Sequence, residues 1–177
     1  MPRKQYKSEP AVTIDKTTYV ATIVTNCGTI KISLDGKNAP HTVNSFAFLA
    51  GQHFFDNTPC HRLTTSGIYV LQCGDPTGTG TGGPGYTIPD ENLQNATYKA
   101  GTVAMANTGQ PHTGGSQFFL VYADTSLPPQ YTPFGTVTSG LDILKAIAAA
   151  GTNNANGPGD GAPNQPVEIE SFTVAKG

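Results

Sequence analysis

An antiparallel, closed β-barrel with helices laid over its ends is the architecture this sequence predicts. Three observations point there. Short segments of alternating apolar and polar residues recur along the chain, two stretches of helical periodicity stand well apart, and no strand–helix–strand rhythm or internal repeat appears. Glycine (21) and proline (14) are frequent among the 177 residues, as many turns between short strands require. The length suits one domain with a substantial core.

Residues 1–18 are polar, carry Pro2 and Pro10 and lack periodicity, and read as an N-terminal extension lying on the surface of a domain that spans 19–177. Tyr19–Thr25 alternates, Asn26-Cys27-Gly28 signals a turn, and Thr29–Asp35 alternates again with Ile30, Ile32 and Leu34 inward; together they predict a hairpin. Asn38-Ala39-Pro40 opens a helix with Asn38 as its cap, Val43, Phe46, Ala47 and Ala50 recur at helical spacing, and Gly51 stops it. Strands follow around Pro59–Leu63 and Ile68–Gln72, with Thr64–Gly67 as the loop between them. Gln117–Tyr122 is another strand, in which residues two apart share a face. Phe118, Leu120 and Tyr122 form a core face. Gln117, Phe119 and Val121 form the other, which suits either a wet half-buried strand or a wall that grips a peptide by apolar contact and one amide. Phe134–Val137 is a strand, Ser139 caps a second helix bearing Leu141, Leu144, Ile147 and Ala148, and Val167–Val174 is a final alternating strand.

Several function classes are disfavoured. A net charge of −2 gives no basic footprint for nucleic acid. No stretch is apolar enough to span a membrane, and no hydrophobic run follows the basic residues of Met1–Pro10, so neither an anchor nor a signal peptide is expected. Three cysteines, an odd number without regular spacing, do not suggest a disulfide framework, and Cys60 and Cys73 read as small core residues. A cytoplasmic location follows, although a piece of a longer exported protein would look the same. Cys60-His61 suggests a thiol nucleophile with its base, but strand neighbours point to opposite faces. Gly78-Thr79-Gly80-Thr81-Gly82-Gly83 has the spacing of a dinucleotide fingerprint, yet Pro84-Gly85 follows where a helix would have to begin. It is a glycine loop that brings backbone close to a ligand or turns corners. The four histidines show no paired metal-ligand spacing, and no cofactor or metal is expected.

The motifs His61-Arg62, Gln72-Cys73-Gly74-Asp75, Gly78–Tyr86, Met105-Ala106-Asn107, Gly115-Ser116-Gln117-Phe118-Phe119 and Phe134-Gly135 occur in that order. In this the chain resembles the cyclophilins, peptidyl-prolyl cis/trans isomerases, and within them the actinobacterial branch. The likeness runs from about Tyr19 to Val174. It implies an eight-stranded antiparallel barrel capped by two helices, with the substrate groove on the outer wall. It further implies a catalytic arginine at Arg62 with His61 as its companion, and Gln72 and Gln117 as the glutamines holding the substrate backbone. Ala106, Asn107 and the neighbouring Thr108 become the peptide-binding edge, and Phe119 the floor of the proline pocket. Tyr69, Val70, Leu127 and Tyr131 fall at further pocket positions. The implied partners are proline-containing peptides and folding proteins, met by a monomer. A binding scaffold or chaperone with little turnover is the alternative, and loss of Arg62 would have marked it.

The chain also departs from the family pattern. Two extra residues between Arg62 and Gln72 lengthen the Thr64–Gly67 loop, and one extra lies between Asn107 and Gln117. Tyr69 stands where Phe is usual, Tyr131 where His is usual, and Ser126 where Trp is often found, which implies weak binding of cyclosporin.

Overall fold

The computed structural model describes residues 3–177. The chain forms β1 (Thr18–Thr25), β2 (Gly28–Asp35), α1 (Pro40–Gly51), β3 (Thr58–Pro59), β4 (Arg62–Thr64), β5 (Val70–Cys73), β6 (Thr102–Met105), β7 (Phe118–Val121), β8 (Pro133–Ser139), α2 (Leu141–Ala149), β9 (Asp160–Gly161) and β10 (Glu168–Lys176). All ten strands belong to one antiparallel sheet in the order β3-β10-β1-β2-β8-β6-β7-β5-β4-β9. The expected hairpin is β1–β2, in continuous register from Thr18 opposite Asp35 to Thr25 opposite Gly28.

Eight strands were expected, and eight of the ten are three residues or longer; the additions, β3 and β9, have two residues each. The ladder does not run on from β3 to β9, so the barrel is a curled sheet rather than a fully hydrogen-bonded closure. The chain itself draws the margins together. β3 pairs at one edge and β4 sits beside the other, and only Cys60 and His61 separate them, a span of at most about 11 Å.

Inside the curl, Phe46 of α1 lies among the rings of Phe55, Phe118, Phe134 and Phe172, with centroids 4.8–6.0 Å apart. Leu144 and Ile147 of α2 join the same core. The helix caps differ from expectation. Asn38 spends its side chain on Asp35, and α1 is capped from elsewhere in the chain: Glu91 accepts from the amides of His41 (3.1 Å) and Thr42 (2.8 Å). A carboxylate there also meets the positive end of the helix dipole. Ser139 ends β8, and the N-cap of α2 is Gly140, whose φ of 101° favours glycine.

The N-terminal extension is docked along the domain. Tyr6 donates its amide to the Pro84 carbonyl (2.8 Å) and stacks edge-on against Phe48, and Asn44 bonds the backbone of Ala11 and Thr13. One expectation about the core is corrected: Cys60 and Cys73 are buried, as predicted, but joined in a disulfide. Sequence spacing could not show that Cys60, just before β4, lies beside Cys73 at the end of β5. A bonded Cys60 carries no thiolate, which removes the thiol-nucleophile reading.

Candidate active site

β7 shows how the outer wall arises. Phe118 and Leu120 enter the main core, whereas Phe119 and Val121 form a second cluster outside the sheet with Val70, Tyr98 and Ala104. That cluster is incompletely filled. A cavity of about 150 Å³ opens among Arg62, Ile68, Val70, Gln72, Ala106, Asn107, Phe119, Leu127 and Tyr131. A cavity of that size accepts a benzene ring. Eight of the predicted substrate-contacting or catalytic residues therefore meet at one hole: Arg62, Gln72, Val70, Ala106, Asn107, Phe119, Leu127 and Tyr131.

Arg62 and Gln72 face each other across β4 and β5. From this pair a directed series of hydrogen bonds runs along the wall. Arg62 Nη1 donates to Gln72 Oε1 (3.4 Å), and Gln72 Nε2 donates to Gln117 Oε1 (2.8 Å). Gln117 Nε2 then donates to the carbonyls of Gly80 (3.0 Å) and Gly82 (2.9 Å). Both amide hydrogens of Gln117 are thus engaged with the glycine loop, and towards a ligand it offers only a lone pair on Oε1. The loop is in turn wound around Asp75, which is fully buried and accepts from the Thr77 amide and hydroxyl and the Gly80 amide at 2.7–2.8 Å. Burial alone would raise the Asp75 pKa. The bonds from Thr77, Gly82 and Gly80 outweigh it and hold the carboxyl below its usual value. A Cβ at Gly82 would strike Asp75 Oδ1, so glycine is required there.

On its other edge Arg62 meets Asp160, Nε to Oδ1 at 2.9 Å and Nη2 to Oδ2 at 2.8 Å. This bond raises the already high guanidinium pKa, and the same contact holds the Asp160 carboxyl below its ordinary value. Asp160 has no counterpart among the residues predicted from sequence. It lies 98 positions away in a Gly, Asn and Pro loop that carries no periodic signal.

Four predicted residues lie outside this cavity: Gln117, which borders the larger depression beside the glycine loop, and Tyr69, His61 and Thr108. Tyr69 was expected to line the pocket, but it packs on the main core with its ring 6.0 Å from Tyr122, and Ile68 takes the wall position. The physical reason is alternation: Ile68 and Val70 share a face that Tyr69 does not. His61 lies beside the glycine loop rather than in the cavity, near Gly80. Its Nδ1 is buried without a partner among the described residues, and burial, reinforced by Arg62 and opposed by Asp75, lowers its pKa, so the ring is neutral at neutral pH. Thr108 borders a second, larger depression of about 620 Å³ and bonds Thr113. Gln72, Ala106 and Asn107 border both depressions, which makes them one continuous groove with a small deep end.

Comparison with known proteins gives a consistent picture. The profile of the family described as "Cyclophilin type peptidyl-prolyl cis-trans isomerase/CLD" matches residues 20–174. A probable peptidyl-prolyl cis-trans isomerase B of Mycobacterium leprae is 51% identical over 177 residues, covering 92% of this chain and 59% of its own length. The protein of that name from Mycobacterium tuberculosis H37Rv is 49% identical, covering 86% and 53%. This chain thus spans little more than half the length of either. A peptidyl-prolyl cis-trans isomerase of Helicobacter pylori is 44% identical, covering 75% of this chain and 81% of the relative. Among solved structures, a Cryptosporidium parvum cyclophilin-type isomerase superposes with a TM-score of 0.77 at 28% identity, covering 90% of this chain and 99% of the other. A second structure of that protein was obtained in the presence of the dipeptide Ala-Pro, with a TM-score of 0.75.

Proposed function

The chain belongs to the cyclophilin-type peptidyl-prolyl cis/trans isomerase family, and on that premise we propose that it accelerates rotation about X–Pro bonds in peptides and folding proteins. The observation that carries the reading is the placement of Arg62 on the rim of a cavity floored by Phe119.

The chemistry follows from the bond. Rotation about the C–N bond is opposed by ~18–20 kcal/mol because the amide is conjugated. At the half-turn that conjugation is gone, and the prolyl nitrogen becomes pyramidal and regains a lone pair. A donor aimed at this nitrogen stabilises the twisted state more than either planar one. Arg62 offers a permanent charge and a rigid fork, with Nη1 committed only to the long contact with Gln72. Phe119, Val70 and Leu127 seat the pyrrolidine ring, while Ala106 and Asn107 hold the flanking chain. One half of the amide is clamped and the other turns. A 10⁵-fold gain would need about 7 kcal/mol. One charge-assisted bond supplies about 1.5–3 kcal/mol, so binding the peptide part-way twisted has to contribute the rest.

Substrates are extended proline-containing segments met by a monomer, and cyclosporin binds weakly because exposed Ser126 replaces an aromatic wall. For location, cytoplasm is the expectation from sequence, and one structural observation points elsewhere. The Cys60–Cys73 disulfide favours an oxidising compartment, because cytosolic thiols are kept reduced. Among the described residues no helix is long and apolar enough to cross a membrane.

The test is Arg62→Ala in an NMR exchange or protease-coupled assay on a proline tetrapeptide. Turnover should fall about 10- to 150-fold, the loss of one charge-assisted bond, with circular dichroism unchanged. Wild-type turnover in that variant would defeat the reading.

A further inference from the structure

Resting on the isomerase reading, we propose that Asp160 is a positioning residue for Arg62, gripping the guanidinium by one edge so that Nη1 is presented to the proline cavity. Both carboxylate oxygens take part, at 2.8 and 2.9 Å, one on Nη2 and one on Nε. Two parallel bonds fix the plane and the rotation of a guanidinium, which a single bond does not. An arginine has five N–H donors. Two of them are spent on Asp160 and a third makes the 3.4 Å contact with Gln72, which leaves one on Nη1 and one on Nη2.

The strand pairing explains why the two side chains meet. Asp160 stands opposite Thr64 in the β4–β9 pair, and Arg62 lies two residues back along β4. They are diagonal neighbours on adjacent strands, within reach of long side chains. Asp160 is itself held. Its amide donates to the Gly157 carbonyl (3.0 Å), its carbonyl accepts from the Asn156 amide (3.0 Å), and Oδ1 accepts a second bond from Asn156 Nδ2 (3.3 Å). The loop bearing it rests on the lengthened Thr64–Gly67 segment, where the Thr65 amide donates to the Gly159 carbonyl (2.8 Å). The two extra residues beside the site therefore have a use: they form the shelf for the loop that carries the carboxylate.

A freely rotating arginine would place a donor at the prolyl nitrogen only part of the time. A misplacement of about 1 Å at a reacting centre can cost on the order of a hundredfold in rate. The carboxylate also offsets some of the positive potential of Arg62, so its benefit must come from geometry rather than charge.

Three variants and two readouts test this. Asp160→Ala should lower kcat roughly tenfold to a hundredfold and leave KM within about threefold, because the cavity walls at Phe119, Val70 and Leu127 are untouched. Asp160→Asn should lose most of the same activity, since an amide accepts from only one of the two nitrogens. Asp160→Glu keeps the charge and moves it by a methylene, and should also be impaired. The second readout is independent of turnover: the ¹H–¹⁵N signal of Arg62 Nε, assigned through Arg62→Lys. In the wild-type protein it should exchange slowly with solvent, and in Asp160→Ala rapidly. Unchanged kcat in both Asp160→Ala and Asp160→Asn would overturn the proposal, and so would a fall in kcat with an unmoved Nε signal. A wild-type protein without isomerase activity but with a slow Nε signal would instead defeat the isomerase reading, leaving Asp160 a partner of Arg62 with no reaction to serve.

Discussion

Phe118 and Phe119 are consecutive, both buried, and put to opposite uses. Phe118 meets Phe46, Phe55 and Phe172 edge-on at 5.4–6.0 Å, inside a core with rings on every side. Phe119 meets Tyr131 at 5.6 Å and Tyr98 at 6.3 Å, and otherwise faces a hole. The difference between the two faces of β7 is the difference between finished and unfinished packing. Inside, aromatic surface is consumed by the fold. Outside, the same kind of surface borders an open cavity.

The sharpest way to break that contrast is to truncate each ring in turn. Phe118→Ala should cost about 3–5 kcal/mol, the usual range for a buried aromatic, and lower the melting temperature by roughly 6–20 °C in a chain of this length. Where the variant stays folded, KM should be near wild type. Phe119→Ala should lose less than half as much stability, since part of its surface already borders a void, while KM for a proline peptide rises at least fivefold. Equal stability losses with an unmoved KM would show that the outer cluster is ordinary core and that the cavity is not the proline site.

The same division runs through β5 and the chain that leads into β4. Cys60 and Cys73 belong to the inner core, whereas Arg62 and Gln72 face out. The bond between the cysteines spans 13 positions. In the chain-entropy account a loop near that size is worth about 3 kcal/mol. Cys60→Ala with Cys73→Ala should therefore lower stability by about that amount in urea titrations. Turnover at temperatures well below the melting point should change less than threefold, because the β4–β5 ladder and Asp160 still hold Arg62. A collapse of kcat in a folded double variant would mean that the inner bond sets the geometry of the outer pair.

How far each face could be read from the sequence follows from the range of the interactions that build it. Strand alternation is local, so the β1–β2 hairpin and the division of Phe118, Leu120 and Tyr122 from Phe119 and Val121 were legible. The resemblance of separated motifs supplied Arg62, Gln72, Gln117 and Phe119. What escaped was non-local and aperiodic. Glu91 caps a helix from about fifty positions away, where Asn38 had looked sufficient. Asp160 reaches Arg62 only because a two-residue strand places it there. An odd cysteine count concealed a pair that forms only because the residues leading into β4 lie beside the end of β5. Tyr69 was placed by its distance from Gln72 in the family pattern, whereas alternation from Val70 points to Ile68.

That last correction yields the smallest effect and a fine test of the two-face picture. Tyr69 packs inward against Tyr122, and no hydrogen bond ties its hydroxyl to another of the described residues. Tyr69→Phe keeps the ring and should leave KM, kcat and stability within error of wild type. Ile68→Ala removes apolar surface from the rim of the cavity and should raise KM about two- to fivefold, as expected for losing part of a contact worth roughly 0.8 kcal/mol per methylene when fully buried. Ile68 is only half-buried, so its stability cost should be slight. If Tyr69→Phe raised KM and Ile68→Ala did not, the strand entering β5 would have to be turned by one residue relative to its partner. A slip of one residue exchanges the faces of every side chain after it. Val70 would then leave the cavity, and the opposition of Arg62 and Gln72 on which the site depends would go with it.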